Sequence, residues 1–291
     1  MRLAGEHEVC FTVRFLQRVR GRLRRLRSAL RPAPPAAAPP AAPPAAAPTP
    51  APAPSSLTGV DYEGAWNTYA STWRQRFPQA QHLGDEWQGT ESGAAANIGE
   101  YVRVIEESFI APYIEPTDRV LEIGVGGGRT AVLLRQHAEH VTCADISQSM
   151  LAETRSRLGD DRVSYVKLDG RTLDGVPAGS VDVLFCFDTL VHVEPRDIFN
   201  YLVRIPPLMR GKRLVILHHG NMLTERGWNR FLREYQHNLM GRSGSSFSVM
   251  TDSIMERFLD HLGYEVVLKD TTTVPRDCVW VVRAPEVPAG P

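Results

Sequence analysis

Five short runs rich in valine, leucine and isoleucine, at Arg119–Ile123, Val141–Asp145, Val163–Leu168, Val181–Phe187 and Arg213–His218, are each separated by a segment with helical periodicity. Strands of this composition are buried on both faces, and connections of a dozen or more residues join parallel neighbours through a helix. The chain is therefore expected to form an α/β domain with a doubly wound, Rossmann-like sheet. Its end differs. The runs YEVVLKD and CVWVVRA are separated only by TTTVPRD, too short for a crossover helix, and predict a C-terminal antiparallel hairpin. Five parallel strands plus that hairpin give seven. Ahead of the sheet, 61–77 and 97–111 read as helices.

The rest of the chain is organised by composition. Residues 1–31 hold nine arginines against two glutamates, so the remaining 24 basic and 31 acidic residues make the rest acidic. An acidic globular part argues against a nucleic-acid enzyme, which needs a basic footprint. Within the first segment Phe15, Leu16, Val19, Leu23, Leu26 and Leu30 recur at helical steps among arginines. That pattern suits a peripheral anchor on an anionic membrane, a targeting peptide, or upstream sequence translated from a mis-assigned start. Of the 23 residues from Pro32 to Pro54, 22 are Pro or Ala, so a semi-rigid, disordered tether is expected over 32–56. The globular domain is expected over 57–291, with lid helices in 57–118 and a substrate-side insertion in 220–250. No run is long and apolar enough for a membrane span. Cys10, Cys143, Cys186 and Cys278 have no zinc spacing, and two of them sit in apolar runs, which fits a reducing cytoplasm.

The first strand runs into a glycine loop and then a helix, as RVLEIGVGGGRTAVLL. Bare amides and a positive helix end suit a ligand there. A dinucleotide fingerprint needs glycine at the sixth place from Gly124, where this chain has Arg129. Glu122, two residues before the first glycine, suits instead a cofactor bearing an amino-acid ammonium group. VLEIGVGGGRT resembles the first motif of the class I S-adenosylmethionine-dependent methyltransferases, acid-x-Gly-x-Gly-x-Gly, and the likeness extends from about Tyr101 to Arg283. The resemblance implies their seven-strand fold and S-adenosylmethionine as methyl donor. It places Glu122, Gly124, Gly126 and Gly128 at the cofactor. Asp145, 21 residues after Gly124, would take the ribose hydroxyls, with Ile146 beside it. Asp169 would meet the adenine amino group where Gly170 lets the chain turn, and Phe187 would lie beside the sulfonium.

Candidate catalytic residues stand at the carboxyl ends of the fourth and fifth strands, where open α/β sheets bind ligands. FDTLVHV offers Asp188 and His192; LHHGN offers His218 and His219, which strand alternation sends to opposite faces. A histidine titrating near neutrality suits proton removal from a hydroxyl. His219 is the first choice, then His218 and His192, with Asp188 as base, metal ligand or loop-structuring residue; the spacing fits no recognised metal motif. The insertion's expected helix, Glu225–Met240, mixes aromatics and arginines as a cover for an oxygen-rich acceptor, and HLGDEWQG, with Trp87, reads as part of a lid. The expected activity is O-methylation of a sugar, glycan or other small-molecule hydroxyl. N- or C-methylation of a metabolite such as a quinone precursor is the alternative, and a catalytically silent scaffold is the alternative of another class.

Overall fold

The structure, a computed structural model, describes residues 55–239 and 241–287. The expectations for 1–31, for Cys10 and for the Pro/Ala run to residue 54 lie outside them. Strands β1 (Arg119–Ile123), β2 (His140–Asp145), β3 (Val163–Lys167), β4 (Val181–Cys186), β5 (Met209–Gly220), β6 (Glu265–Asp270) and β7 (Asp277–Arg283) form one sheet. Its order is β3-β2-β1-β4-β5-β7-β6. The first five strands pair in parallel, and β7 lies antiparallel between β5 and β6. The expected α/β sheet with its C-terminal hairpin is therefore present, with β7 alone reversed.

Helices α1 (Tyr62–Arg76) and α2 (Ile98–Ile105) precede the sheet, α3 (Arg129–His137), α4 (Gln148–Leu158) and α5 (Pro195–Arg204) make crossovers, and α6 (Glu225–Glu234) and α7 (Asp252–His261) follow β5. Their starts are written in the sequence. Asp61, Asn97, Ser147, Thr224 and Thr251 each accept a hydrogen bond from the third amide beyond, satisfying a donor that the first turn leaves free. The predicted insertion helix stops at Glu234 and tightens into a 3₁₀ turn, Tyr235–Asn238, whose Asn238 amide takes the Glu234 carbonyl.

Alternation along the strands splits the core in two. Leu121, Val215, Leu217, Trp280 and Val282 pack on one face, and Val120, Leu214, Ile216, Val279 and Val281 on the other. The folded body takes hold earlier than residue 57. Ser56 is buried and donates to the Val60 carbonyl, while Leu57 N–H and Thr58 Oγ1 donate to the buried Asp197 carboxylate at 2.8 and 2.7 Å. Among the described residues no helix is long and apolar enough to cross a membrane. Cys143, Cys186 and Cys278 are buried free thiols, and burial pushes all three above the usual thiol range.

Candidate active site

The carboxyl ends of β1, β2 and β4 border a cleft walled by Gly124, Gly126, Asp145, Ile146, Gly170 and Thr189 among others. The glycine loop is shaped by what crowds it. At Gly124 a side chain would collide with Thr189, and at Gly127 with the Leu83 carbonyl. Gly126, with φ of 57°, would direct one into open space. Gly128, also left-handed, is the N-cap of α3. Asp145 fixes the loop from β2, its two oxygens accepting the Gly126 and Ser147 amides at 2.9 and 2.8 Å. Burial lifts its carboxyl to about 6, against the opposing pull of those amides.

Glu122 lies beneath this loop, 1% exposed, with Oε1 accepting from Thr130 and Oε2 without a partner. Burial drives its carboxyl to about 8, and the Thr130 hydroxyl and Arg129 charge only partly offset this. Three other sequence expectations need correcting. Asp169 is exposed and outside the cleft wall, because its Oδ1 caps its own turn by accepting the Arg171 and Thr172 amides. Leu168 and Gly170 border the cleft there, and at Gly170 a side chain would collide with the Ser55 carbonyl. Phe187 also turns from the cleft, stacking on His218 at 4.2 Å and on Phe185 in the core.

The third correction concerns His219. It is fully buried on the Trp280 side of the sheet, where Trp280 Nε1–H donates to its Nε2 at 3.0 Å. That leaves Nδ1 as the protonated nitrogen, 2.8 Å from the Gly220 carbonyl. Burial lowers its pKa to about 4. Both nitrogens are used and no solvent reaches the ring, so it serves as a neutral core histidine rather than a base. His218 takes the opposite face, as alternation requires. Its Nδ1 accepts the Asp188 amide at 3.0 Å, so Nε2–H is the donor to Asp277 Oδ2, also at 3.0 Å. It too is fully buried.

Asp188 is where these groups meet. Its backbone is left-handed, φ 56°, a strained state for a residue with a side chain. Tyr101 donates to both carboxylate oxygens at 2.9 Å, and Arg129 pairs with Oδ2. Burial alone would raise this carboxyl, but the Arg129 charge and the Asp188 neighbours hold it below the ordinary range. Arg129 also donates to the Gly84 and Trp87 carbonyls, each at 3.0 Å, tying the HLGDEWQG segment down over the loop. A buried Arg276–Asp277 pair stands behind His218.

A second, larger cavity shares Trp66, Trp87 and Asp188 with the cleft. Tyr69, Tyr101, His192, Phe247, Arg230 and Arg276 also line it. Trp87 stacks on Tyr69 at 5.5 Å, and His192 sits edge-on between Trp66 and Phe247. Burial lowers His192 to about 4, and its Nδ1 has no partner. The structure thus brings Asp188, His192 and His218 together and leaves His219 apart. Among the described residues no group of three His, Cys, Asp or Glu side chains is placed to hold a metal ion. The sequence reading missed Tyr101, Arg129, Arg276 and Asp277 in the charge network, and Tyr62, Trp66, Thr189 and Tyr201 in the cleft wall. Arg129 alone carried a signal, as the residue that broke the dinucleotide fingerprint.

Residues 120–210 match a family model described as a methyltransferase domain. Over 159 residues the chain is 30% identical to a demethylmenaquinone methyltransferase from Clavibacter sepedonicus, covering 52% of this chain and 63% of that protein. Over 122 residues it is 30% identical to an S-adenosyl-L-methionine-dependent Diels-Alderase from Talaromyces variabilis, covering 40% of this chain and 41% of the other. The chain thus spans less than two thirds of these curated relatives. A crystal structure of magnesium protoporphyrin IX methyltransferase from Synechocystis, with bound S-adenosylhomocysteine, superposes with a TM-score of 0.55 at 17% identity, over 76% of this chain and 97% of that one. Sequence match and seven-strand topology agree: residues 120–210 match a methyltransferase-domain model, and the described residues have the seven-strand, Rossmann-like methyltransferase fold.

Proposed function

We propose that the cleft holds S-adenosylmethionine and that the adjoining cavity holds a small, ring-bearing acceptor, a sugar or other hydroxyl compound, for O-methylation. The observation that carries this is the shared wall: the two spaces meet at Asp188, Trp66 and Trp87 and nowhere else in their linings. The cleft residues fit the cofactor. Open space above Gly126 lets a ligand reach bare backbone, Asp145 offers a carboxylate for paired hydroxyls, and the orphaned Glu122 oxygen leaves an unused hydrogen-bonding atom beneath the loop. Bound there, S-adenosylmethionine supplies a methyl group already activated on a sulfonium, so the protein's work is alignment and exclusion of water.

Trp66 and Trp87 wall the junction, and Asp188 is held rigid there by Tyr101 and Arg129. His192, neutral above about pH 4, is the imidazole in the acceptor cavity able to receive a proton or a hydrogen bond. A second reading, C-methylation of a hydroxylated aromatic ring such as a quinone precursor, is favoured by the aromatic walls and by the likeness to a demethylmenaquinone methyltransferase. Incubation with methyl-labelled cofactor and fractionated extract separates them. Oxygen-bound label in a sugar or small molecule supports the first, and ring-carbon label in a lipid quinone supports the second. Absence of label from every fraction, with cofactor binding intact, contradicts methyl transfer.

A further inference from the structure

Helix α6 exposes an apolar stripe. Its inward side carries Arg230, Phe231, Glu234 and, in the following turn, Asn238, which line the cavities beside the acceptor space, and Tyr235 reaches the rim of one of them. Its outward side carries Trp228, Leu232 and Tyr235 at four- and three-residue steps, 47%, 45% and 42% exposed, with Leu223 and Leu239 more exposed still at 65% and 73%. Contiguous exposed apolar surface of this kind marks a contact with something else.

Chemistry beside the stripe identifies the occupant. Arg226 and Arg233 are exposed on the same helix and make no ion pair among the described residues, with Glu225 the exposed acid of that helix. Tryptophan and tyrosine combine an apolar ring with a polar edge, which suits the headgroup boundary, and nearby arginines add attraction to anionic lipid. We propose that the outward face of α6 docks on an anionic lipid surface, setting the acceptor cavity behind it against the bilayer. The inference rests on the acceptor-cavity reading only for what enters; docking needs neither cofactor nor acceptor, so its failure leaves methyl transfer standing.

The difference in tryptophan quenching between wild type and Trp228→Phe reads this helix, since Trp66 and Trp87 are partly buried in the cavity walls. All five tryptophans lie outside the arginine-rich segment, and Trp228 is the exposed one, so an anchor in residues 1–31 contributes no signal. Vesicles of brominated phosphatidylcholine with phosphatidylserine should quench the wild type, and Trp228→Phe should remove that quenching while vesicle co-sedimentation persists. Leu232→Glu should weaken quenching by about tenfold in lipid concentration, the scale of one buried leucine, without altering S-adenosylhomocysteine binding. Unquenched emission from protein that sediments with the vesicles would overturn the proposal. So would concentration-dependent shielding of Trp228 in a lipid-free dimer, which would assign the face to a second copy of the chain.

Discussion

Asp188 shows how much of this site depends on single residues drawn from distant segments. Its carboxylate collects Tyr101 from α2 and Arg129 from the first residue of α3, and its amide donates to His218 from β5. The histidine pair separates structural from functional roles. His219→Ala should cost about 1–3 kcal/mol of stability by leaving the buried Trp280 N–H unpartnered, measured by denaturant unfolding. His192→Ala should instead lower turnover with stability nearly unchanged, and the wild-type pH profile should rise through about 4 and stay flat across 6–7. A rise confined to 6–7 would point to a different base. Glu122 gives a test in the ligand-free protein. Its folded pKa, about 8, lies above its ordinary value, so both states are protonated at acid pH and the unfolded state ionises first as pH rises. Stability is therefore lost between about pH 5 and 8, and Glu122→Gln should gain on wild type progressively across that window. An equal difference at both ends would contradict a neutral buried carboxyl. The loop glycines and Asp145 were legible because they are consecutive along strand-to-helix turns. Alternation foretold that His218 and His219 diverge, but not which face carries the site. Asp169 stands exposed between the cleft residues Leu168 and Gly170, its Oδ1 taken by a local turn that sequence alone did not reveal.

At the scale of elements, the sheet was legible because valine-rich runs and their spacing leave few arrangements. The lid was legible only as a turn-rich segment with a tryptophan; what holds it is a long-range contact. Arg129 donates to two of its carbonyls and Arg157 pairs with Asp85 at 3.1 Å. Arg129→Leu should release both carbonyls and raise amide hydrogen exchange over residues 82–89, while exchange in β1 and β4 stays slow. Uniformly faster exchange would mean that Arg129 stabilises the whole fold instead. Helix α6 was read from sequence as a cationic, aromatic cover. The exposure of its apolar stripe was not legible, because periodicity marks such a stripe without saying whether core or solvent lies against it.

For the whole molecule, the seven-strand sheet places two adjoining spaces at the carboxyl ends of its strands, one bordered by bare backbone and Asp145, the other by aromatic rings and His192. Their division into cofactor and acceptor sites is the central claim, and calorimetry tests it most directly. Titration of the full chain should show binding of S-adenosylhomocysteine and none of NAD. Gly126→Val should abolish that binding, since its side chain would enter the open space above the loop; the left-handed backbone also strains this variant, so its cooperative unfolding is checked alongside. Binding of NAD without S-adenosylhomocysteine, or undiminished binding by Gly126→Val, would contradict the assignment of the cleft.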